Sequence, residues 1–203
     1  MAWQPPVMIR SSRVTFPKAE IWIPVVTQAP NAAAGKQMNE TIKDTVRKLI
    51  ENQGSLEDPR AEMQGYYEVK TNEKNVLSLS LFNYAYTGGA HGLTLQASLT
   101  FDTTSGRSYS LAQLFKPGSP YIRRLSELVK AQIAVRKLEP LQPFESIRPD
   151  QDFYVADRSL VIYFQLYELL PYVYGFVYFP ISVYEIQDIV NEQGPLGPML
   201  VGD

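Results

Sequence analysis

The chain has 203 residues, 45% apolar and 20% charged, with a net charge of −2, so it can bury a sizeable core in one domain or in two small halves. That balance argues against an electrostatic nucleic-acid binder, which would show a basic face. The absence of cysteine removes disulfides, thiolate catalysis and zinc–thiolate sites together, while leaving the compartment open.

The opening Met1-Ala2-Trp3-Gln4-Pro5-Pro6-Val7 lacks the basic n-region and apolar core of a signal peptide, so no export signal is expected. Val7 to Phe16 is extended in pattern, and Ile21 to Thr27 resumes it after Pro17-Lys18. Pro24 cannot donate to a ladder, which predicts an edge or a bulge there. From Asn31 the period changes. Met38, Ile42, Val46 and Leu49 form an apolar stripe opposite Lys36, Glu40, Lys43, Asp44, Arg47 and Lys48. This predicts a helix from about Ala32 to Asn52, capped by Asn31 and stopping near Gly54. The Asn39-Glu40-Thr41 triplet falls inside that helix and carries little weight as an acceptor for a glycan.

Ser55–Glu62 reads as loop. Strands are predicted at Met63–Thr71 and Val76–Tyr86 around an Asn72-Glu73-Lys74-Asn75 turn, then at Leu93–Phe101, because apolar and polar residues alternate. Between the last two lies Thr87-Gly88-Gly89-Ala90-His91-Gly92, with three of the chain's 12 glycines and its only histidine. Glycine permits positive φ and an uncovered backbone, so this loop turns sharply or lets something approach closely. Asp102–Arg107 reads as a tight turn and Ser110–Phe115 as a short amphipathic piece.

Ser119 as N-cap and Pro120 at the first helical position predict a second helix ending before Pro140, with Ile122, Leu125, Val129 and Ile133 on its apolar face. Phe153–Val155 and Leu160–Phe164 read as a hairpin around Ala156-Asp157-Arg158-Ser159. Tyr167–Tyr172 reads as a loop closed by Gly175, and Phe176–Ile181 as a strand. Ser182 with Glu185 is a capping box predicting a short helix to about Val190. Residues 191–203 are expected to form a disordered tail.

His91 has only Thr87, Thr94 and Asn83 as polar neighbours in sequence. Its ring either hydrogen-bonds backbone and props the loop or contacts a ligand. Catalysis needs a nucleophile or an orienting carboxylate brought in by folding, with Glu168 and Asp102 as the candidates. Tyr167, Tyr172 and Tyr174 lie in loop-like sequence and are the surface candidates, whereas Phe153, Phe164, Phe176 and Phe179 are assigned to the core. The acidic pairs Glu57/Asp58 and Asp150/Asp152 are scattered and show no calcium-loop spacing. No phosphate loop, nucleophile elbow or His-Glu-x-x-His is present. No catalytic residue, metal or cofactor is therefore assigned.

Tyr84-Ala85-Tyr86-Thr87-Gly88-Gly89-Ala90-His91-Gly92, followed by Phe101-Asp102-Thr103-Thr104-Ser105-Gly106, Ser110–Phe115 and the run from Phe153 to Gly175, resembles a bacterial pair of adjacent domains. The pair forms the extracytoplasmic part of RsiV-type anti-sigma factors and the non-catalytic N-terminal part of PdaC-type peptidoglycan deacetylases. The resemblance covers about Arg13 to Ile189. It implies an α+β fold, helices packed on antiparallel sheet, in two similar-sized halves sharing one compact unit. The halves are a PdaC-type half over 7–102 and an RsiV-like half over 103–190.

The resemblance also implies an extracytoplasmic, non-enzymatic binding module of the cell envelope. Its partner would be a lysozyme-like protein, as in the RsiV branch, or a peptidoglycan glycan, met by Thr87, Gly88, Gly89, His91, Tyr167, Tyr172 and Tyr174. The sequence shows no transmembrane helix, sigma-binding segment or deacetylase domain, the parts that carry signalling or catalysis in those branches. Two alternatives stay open: a hydrolytic or glycan-modifying enzyme centred on His91, and an oligomerising module. Both monomer and homodimer are compatible with the sequence.

Overall fold

The computed structural model describes residues 5–201. The first four residues of the opening segment, and Gly202 and Asp203 of the expected tail, lie outside the described residues. The fold is α+β. It divides into two compact units, Met1–Ser108 and Tyr109–Asp203, where the sequence leads one to expect halves sharing one.

In the first unit, strands β1 (Met8–Phe16) and β2 (Ala19–Gln28) form a hairpin, helix α1 spans Ala32–Glu51, and β3 (Glu62–Glu73), β4 (Val76–Tyr86) and β5 (Leu93–Asp102) complete the sheet in the order β1-β2-β3-β4-β5. Helix α1 forms where the sequence places it. The Asn31 side chain accepts from the Ala34 N–H at 2.8 Å, and Gly54 just beyond the helix has φ +132°. Ala34, Met38, Ile42, Val46 and Leu49 are buried against Ile21, Val26, Leu77, Leu79, Leu81 and Phe101. Each of the larger side chains contributes about 1.5–3 kcal/mol relative to exposure.

The sheet is mixed rather than purely antiparallel. Because α1 is a crossover between β2 and β3, Ala19–Ile21 runs parallel to Met63–Gly65. That ladder is only three residues long. Pro24 lies past it, on a stretch of β2 that β3 does not pair. Two residues on, the Asn39 side chain of α1 takes the place of a strand: it accepts from the Val26 N–H and donates to the Val26 carbonyl, both at 2.8 Å. The β3–β4 turn is tighter than predicted, with Lys74 and Asn75 both at positive φ, as a two-residue hairpin turn requires.

β4 is not half-buried, contrary to its alternation. Both its faces are covered, and the residues between the core leucines, Ser78 and Ser80, are fully buried. Their hydroxyls are satisfied across the ladder by Thr100 (2.9 Å) and Ser98 (2.8 Å), and Gln96 Nε2 donates to Ser80 and Ser98 at 3.2 and 3.3 Å.

In the second unit, α2 spans Tyr121–Val135, and β6 (Phe153–Ala156), β7 (Ser159–Phe164) and β8 (Val177–Ser182) form an antiparallel sheet in that order. Helix α2 starts one residue later than predicted, with Pro120 at the cap and no side-chain cap bond from Ser119. Leu125, Val129 and Ile133 are buried as expected, and so is Ser126. Its hydroxyl donates to the Ile122 carbonyl (2.6 Å) and accepts from the Ile147 N–H (3.0 Å), pinning the proline-bracketed connection to the helix. Phe164 and Phe179 are core residues, while Phe153 and Phe176 are half-buried. Tyr163 is fully buried on the opposite face of β7 from Phe164, beside Tyr154 and Val161.

The capping box at Ser182 opens only a single 3-10 turn, Val183–Glu185. The chain then straightens to bridge Phe115 through Val190. The segment expected to be a disordered tail is packed among the described residues: it ends in the short helix α3 (Gly197–Leu200), and Leu196 and Met199 are fully buried. Two apolar side chains there bury enough surface to hold a Gly/Pro-rich stretch in place.

Candidate functional site

In the first unit the glycine loop joins β4 to β5. Gly88 and Gly89 have φ of +95° and +134°, and a Cβ on either would meet nothing within 4 Å. These glycines shape the backbone rather than make room for a neighbour. Gly92 has the opposite role: a Cβ there would stand 2.3 Å from the Tyr84 ring, so that ring lies directly on the backbone.

The loop is tied at several points. Tyr86 Oη donates to the Gly89 carbonyl at 3.0 Å. At its base, Asn83 Nδ2 donates to Gln53 Oε1 (2.9 Å) and Gln53 Nε2 to the Leu93 carbonyl (2.7 Å), linking both strand ends to the turn that follows α1. Gln53 was not singled out from sequence, and Asn83 only as a polar neighbour of His91; the signal for Gln53 was its place immediately before Gly54. Gly88, Gly89 and His91 are exposed, Thr87 half-buried. His91 Nδ1 lies 2.9 Å from the Gly92 carbonyl, so the ring bonds loop backbone.

Neither carboxylate proposed for His91 is free to serve it. Asp102 stands at the other end of β5, about 30 Å of extended chain away. There its Oδ1 accepts from the Thr104 and Ser105 N–H groups at 2.8 Å. Glu168 is taken up by the Arg148 guanidinium and the Gln165 N–H. Among the described residues no group of three or more His, Cys, Asp or Glu is arranged to hold a metal ion.

In the second unit the tyrosine candidates are brought together. The Tyr167 and Tyr172 rings are 5.4 Å apart, tilted by 30°. Both are exposed, as is Tyr174. Tyr172–Tyr174 is a 3-10 turn closed by Gly175 at φ +66°, and it lifts Val173 into solvent at 85% exposure. Tyr167 has φ +67°, a conformation that costs a tyrosine of order 1 kcal/mol.

The next residue holds that geometry. Glu168 Oε2 accepts from the Gln165 N–H at 2.7 Å, and Oε1 is bound by the Arg148 guanidinium. Arg148 also faces Asp150 (3.6 Å) and Asp152 (3.8 Å), and Gln165 Nε2 donates to Asp152 at 3.0 Å. The acidic pair that looked scattered is thus gathered with Glu168 about one arginine. Burial holds the Asp152 carboxyl above its ordinary range, outweighing the Gln165 hydrogen bond and the nearby Arg148 charge. The neighbouring Gln151, almost fully buried, donates to the Tyr163 carbonyl at 2.8 Å and fastens the network to β7.

Comparison with known proteins follows the same division of the chain. Residues 15–94 match the family described as deacetylase PdaC, and residues 112–184 match a protein family of unknown function, DUF3298. The chain carries the RsiV-like, PdaC-type domain pair. The glycine loop falls in the PdaC-type member and the tyrosine turn in the DUF3298 member.

Among curated proteins the pair is 26% identical over 188 residues to the anti-sigma-V factor RsiV of Bacillus subtilis, covering 83% of this chain and 65% of that protein. It is 23% identical over 141 residues to the Bacillus subtilis peptidoglycan-N-acetylmuramic acid deacetylase PdaC, covering 66% of this chain and 30% of that protein. The chain therefore spans less than two thirds of either relative. The fold recurs in DUF3298 crystal structures from Bacteroides fragilis (15% identity, 97% of this chain and 99% of the other, TM-score 0.69) and Pseudomonas aeruginosa (18% identity, 98% of each, TM-score 0.70).

Proposed function

We propose that this domain pair is a non-enzymatic binding module of the bacterial cell envelope, recognising a lysozyme-like protein or a peptidoglycan glycan outside the cytoplasm. The observation that carries this reading is the exposed Tyr167–Tyr172–Tyr174 cluster, beside which Glu168 is held by Arg148 and the Gln165 N–H. Such anchors lose little side-chain entropy on binding and present a flat apolar body with a polar tip. The glycine loop Thr87, Gly88, Gly89 and His91 is a second contact surface, open to solvent and tied at its base. The relatives favour the same reading: one is an anti-sigma factor and the other acts on peptidoglycan, and the matched residues make up only 30% of the latter.

The test is a calorimetric titration of the purified pair with lysozyme and, separately, with soluble peptidoglycan fragments. Saturable binding is expected for one of them. Tyr167→Ala and Tyr172→Ala should each weaken it about 10-fold or more, and His91→Ala by a smaller factor. Absence of binding to both, or binding that all three variants retain, would refute the reading.

A further inference from the structure

Strand β1 is the outermost strand of the first unit's sheet; β2 lies on one side, and among the described residues no strand lies on the other. Open edges of this kind are ordinarily kept short, bulged, prolyl or covered. In the second unit the edge of β8 is covered, because Gln132 and Arg136 of α2 donate to the Pro180 and Tyr178 carbonyls at 2.7 and 2.8 Å. Apart from the charges of Arg10 and Arg13, β1 has no such protection along most of its length. It runs nine residues without proline, its single register shift is at Met8/Ile9, and every residue but Ile9 is exposed.

The side chains on this edge are also apolar on the wrong face for a solvated strand. Val14 and Phe16 stand opposite Ile21 and Ala19 of β2, and Ile21 belongs to the core under α1. Val14 and Phe16 are nevertheless 37% and 41% exposed. With Ile23, Val46, Ile50 and Leu56 they line an open cavity of about 620 Å³ beside the C-terminal half of α1.

We propose that this edge is a self-association surface, on which β1 of a second copy pairs antiparallel with β1 about a twofold axis at Ser12. This is the register that pairs all nine residues. It sets Arg10 opposite Val14, Arg13 opposite Ser11 and Met8 opposite Phe16, so no like charges face each other directly. The two Arg13 side chains are diagonal neighbours across the axis, and each is matched by its own Glu20 at 3.5 Å. Arg10 of the second copy falls on the cavity side, beside Val14, where the cavity's lining carries Glu51 and Glu57. Arg10 and Glu57 have no ion-pair partner among the described residues of a single copy, and the twofold supplies each with one. The interface is isologous and closes at the dimer.

The chain's lack of cysteine allows a register-specific test. Sedimentation of the unmodified protein up to about 200 µM should show a concentration-dependent dimer. Paired residues at the axis have Cα atoms about 4.5–5.5 Å apart, within disulfide reach, so Ser12→Cys should cross-link under mild oxidation. Thr15→Cys, equally exposed but about 20 Å from its twin in this register, should cross-link at least about 10-fold more slowly. Arg10→Glu should weaken the dimer by about 10-fold, with an unchanged far-UV spectrum. A monomer throughout the concentration range would overturn the proposal and make Arg10 and Arg13 guards of the edge. Equal cross-linking of the two cysteines would overturn it as well.

Discussion

Truncating Asn39 to alanine tests how the first unit closes the gap between β2 and β3. The Asn39 carboxamide satisfies both the N–H and the carbonyl of Val26, a residue only 5% exposed that lies beyond the three-residue parallel ladder. Alanine would strand both groups. Each costs about 1–3 kcal/mol when left unpaired, and partial access of water places the sum at about 2–4 kcal/mol. For a unit of this size that corresponds to a fall in Tm of roughly 10–20 °C. Asn39→Asp should not rescue it, because a carboxylate keeps the acceptor but points negative charge at the Val26 carbonyl. Thr41→Ala is the control: its hydroxyl bonds only the Gln37 carbonyl on an exposed face, and its loss should change stability by less than about 0.5 kcal/mol. Urea denaturation followed by circular dichroism measures all three. An Asn39→Ala variant within about 0.5 kcal/mol of the parent would show that water satisfies Val26 and that the side-chain bridge is incidental.

Further predictions concern the turns and the second unit. Gly106 and Gly88 both have positive φ (+75° and +95°), but a Cβ on Gly106 would lie 2.6 Å from the Ala34 carbonyl oxygen, whereas Gly88 faces open space. Gly88→Ala should cost about 1–2 kcal/mol from backbone strain alone and Gly106→Ala about 1–3 kcal/mol more; equal costs in urea denaturation would contradict that contact. Ser126→Ala should destabilise the second unit by about 1–3 kcal/mol by leaving the Ile147 N–H unpaired, which thermal unfolding will report.

Asp152 makes a pH prediction. Its folded pKa is raised, so its contribution is fully present below the unfolded pKa and is lost as pH rises through the folded value. Asp152→Asn should therefore raise Tm relative to the parent near about pH 7 and not near about pH 3. The same gain at both pH values would rule out the carboxyl as its source.

Much of this architecture is local and was legible in the residues themselves. The stripe Met38–Ile42–Val46–Leu49, the Asn31 cap and the Gly54 stop determine α1, and period-two alternation with glycine or positive-φ turns determines β3, β4, β5 and the β6–β7 hairpin. Exposure of Tyr167, Tyr172 and Tyr174 follows equally from Pro171 and Gly175 nearby, which keep that stretch out of regular pairing. What local pattern cannot carry is who sits opposite whom. Ser78 and Ser80 alternate like a solvated face, and only their position on a central strand buries them; the hint was that their cross-strand partners, Gln96, Ser98 and Thr100, carry no charge.

The same holds for Glu168, which the return of β7 brings to Arg148 where Asp150 and Asp152 already stand nearby in the chain, and for Asn39, whose side chain is spent on Val26. Ser182 and Glu185 did form their capping box, but the Phe115–Val190 bridge claimed the chain before a helix could grow. A residue's own conformation is set by its neighbours in the chain, over distances the sequence displays directly. Partnership across a sheet or around an arginine is set by the path of the whole chain, and only the folded units decide it.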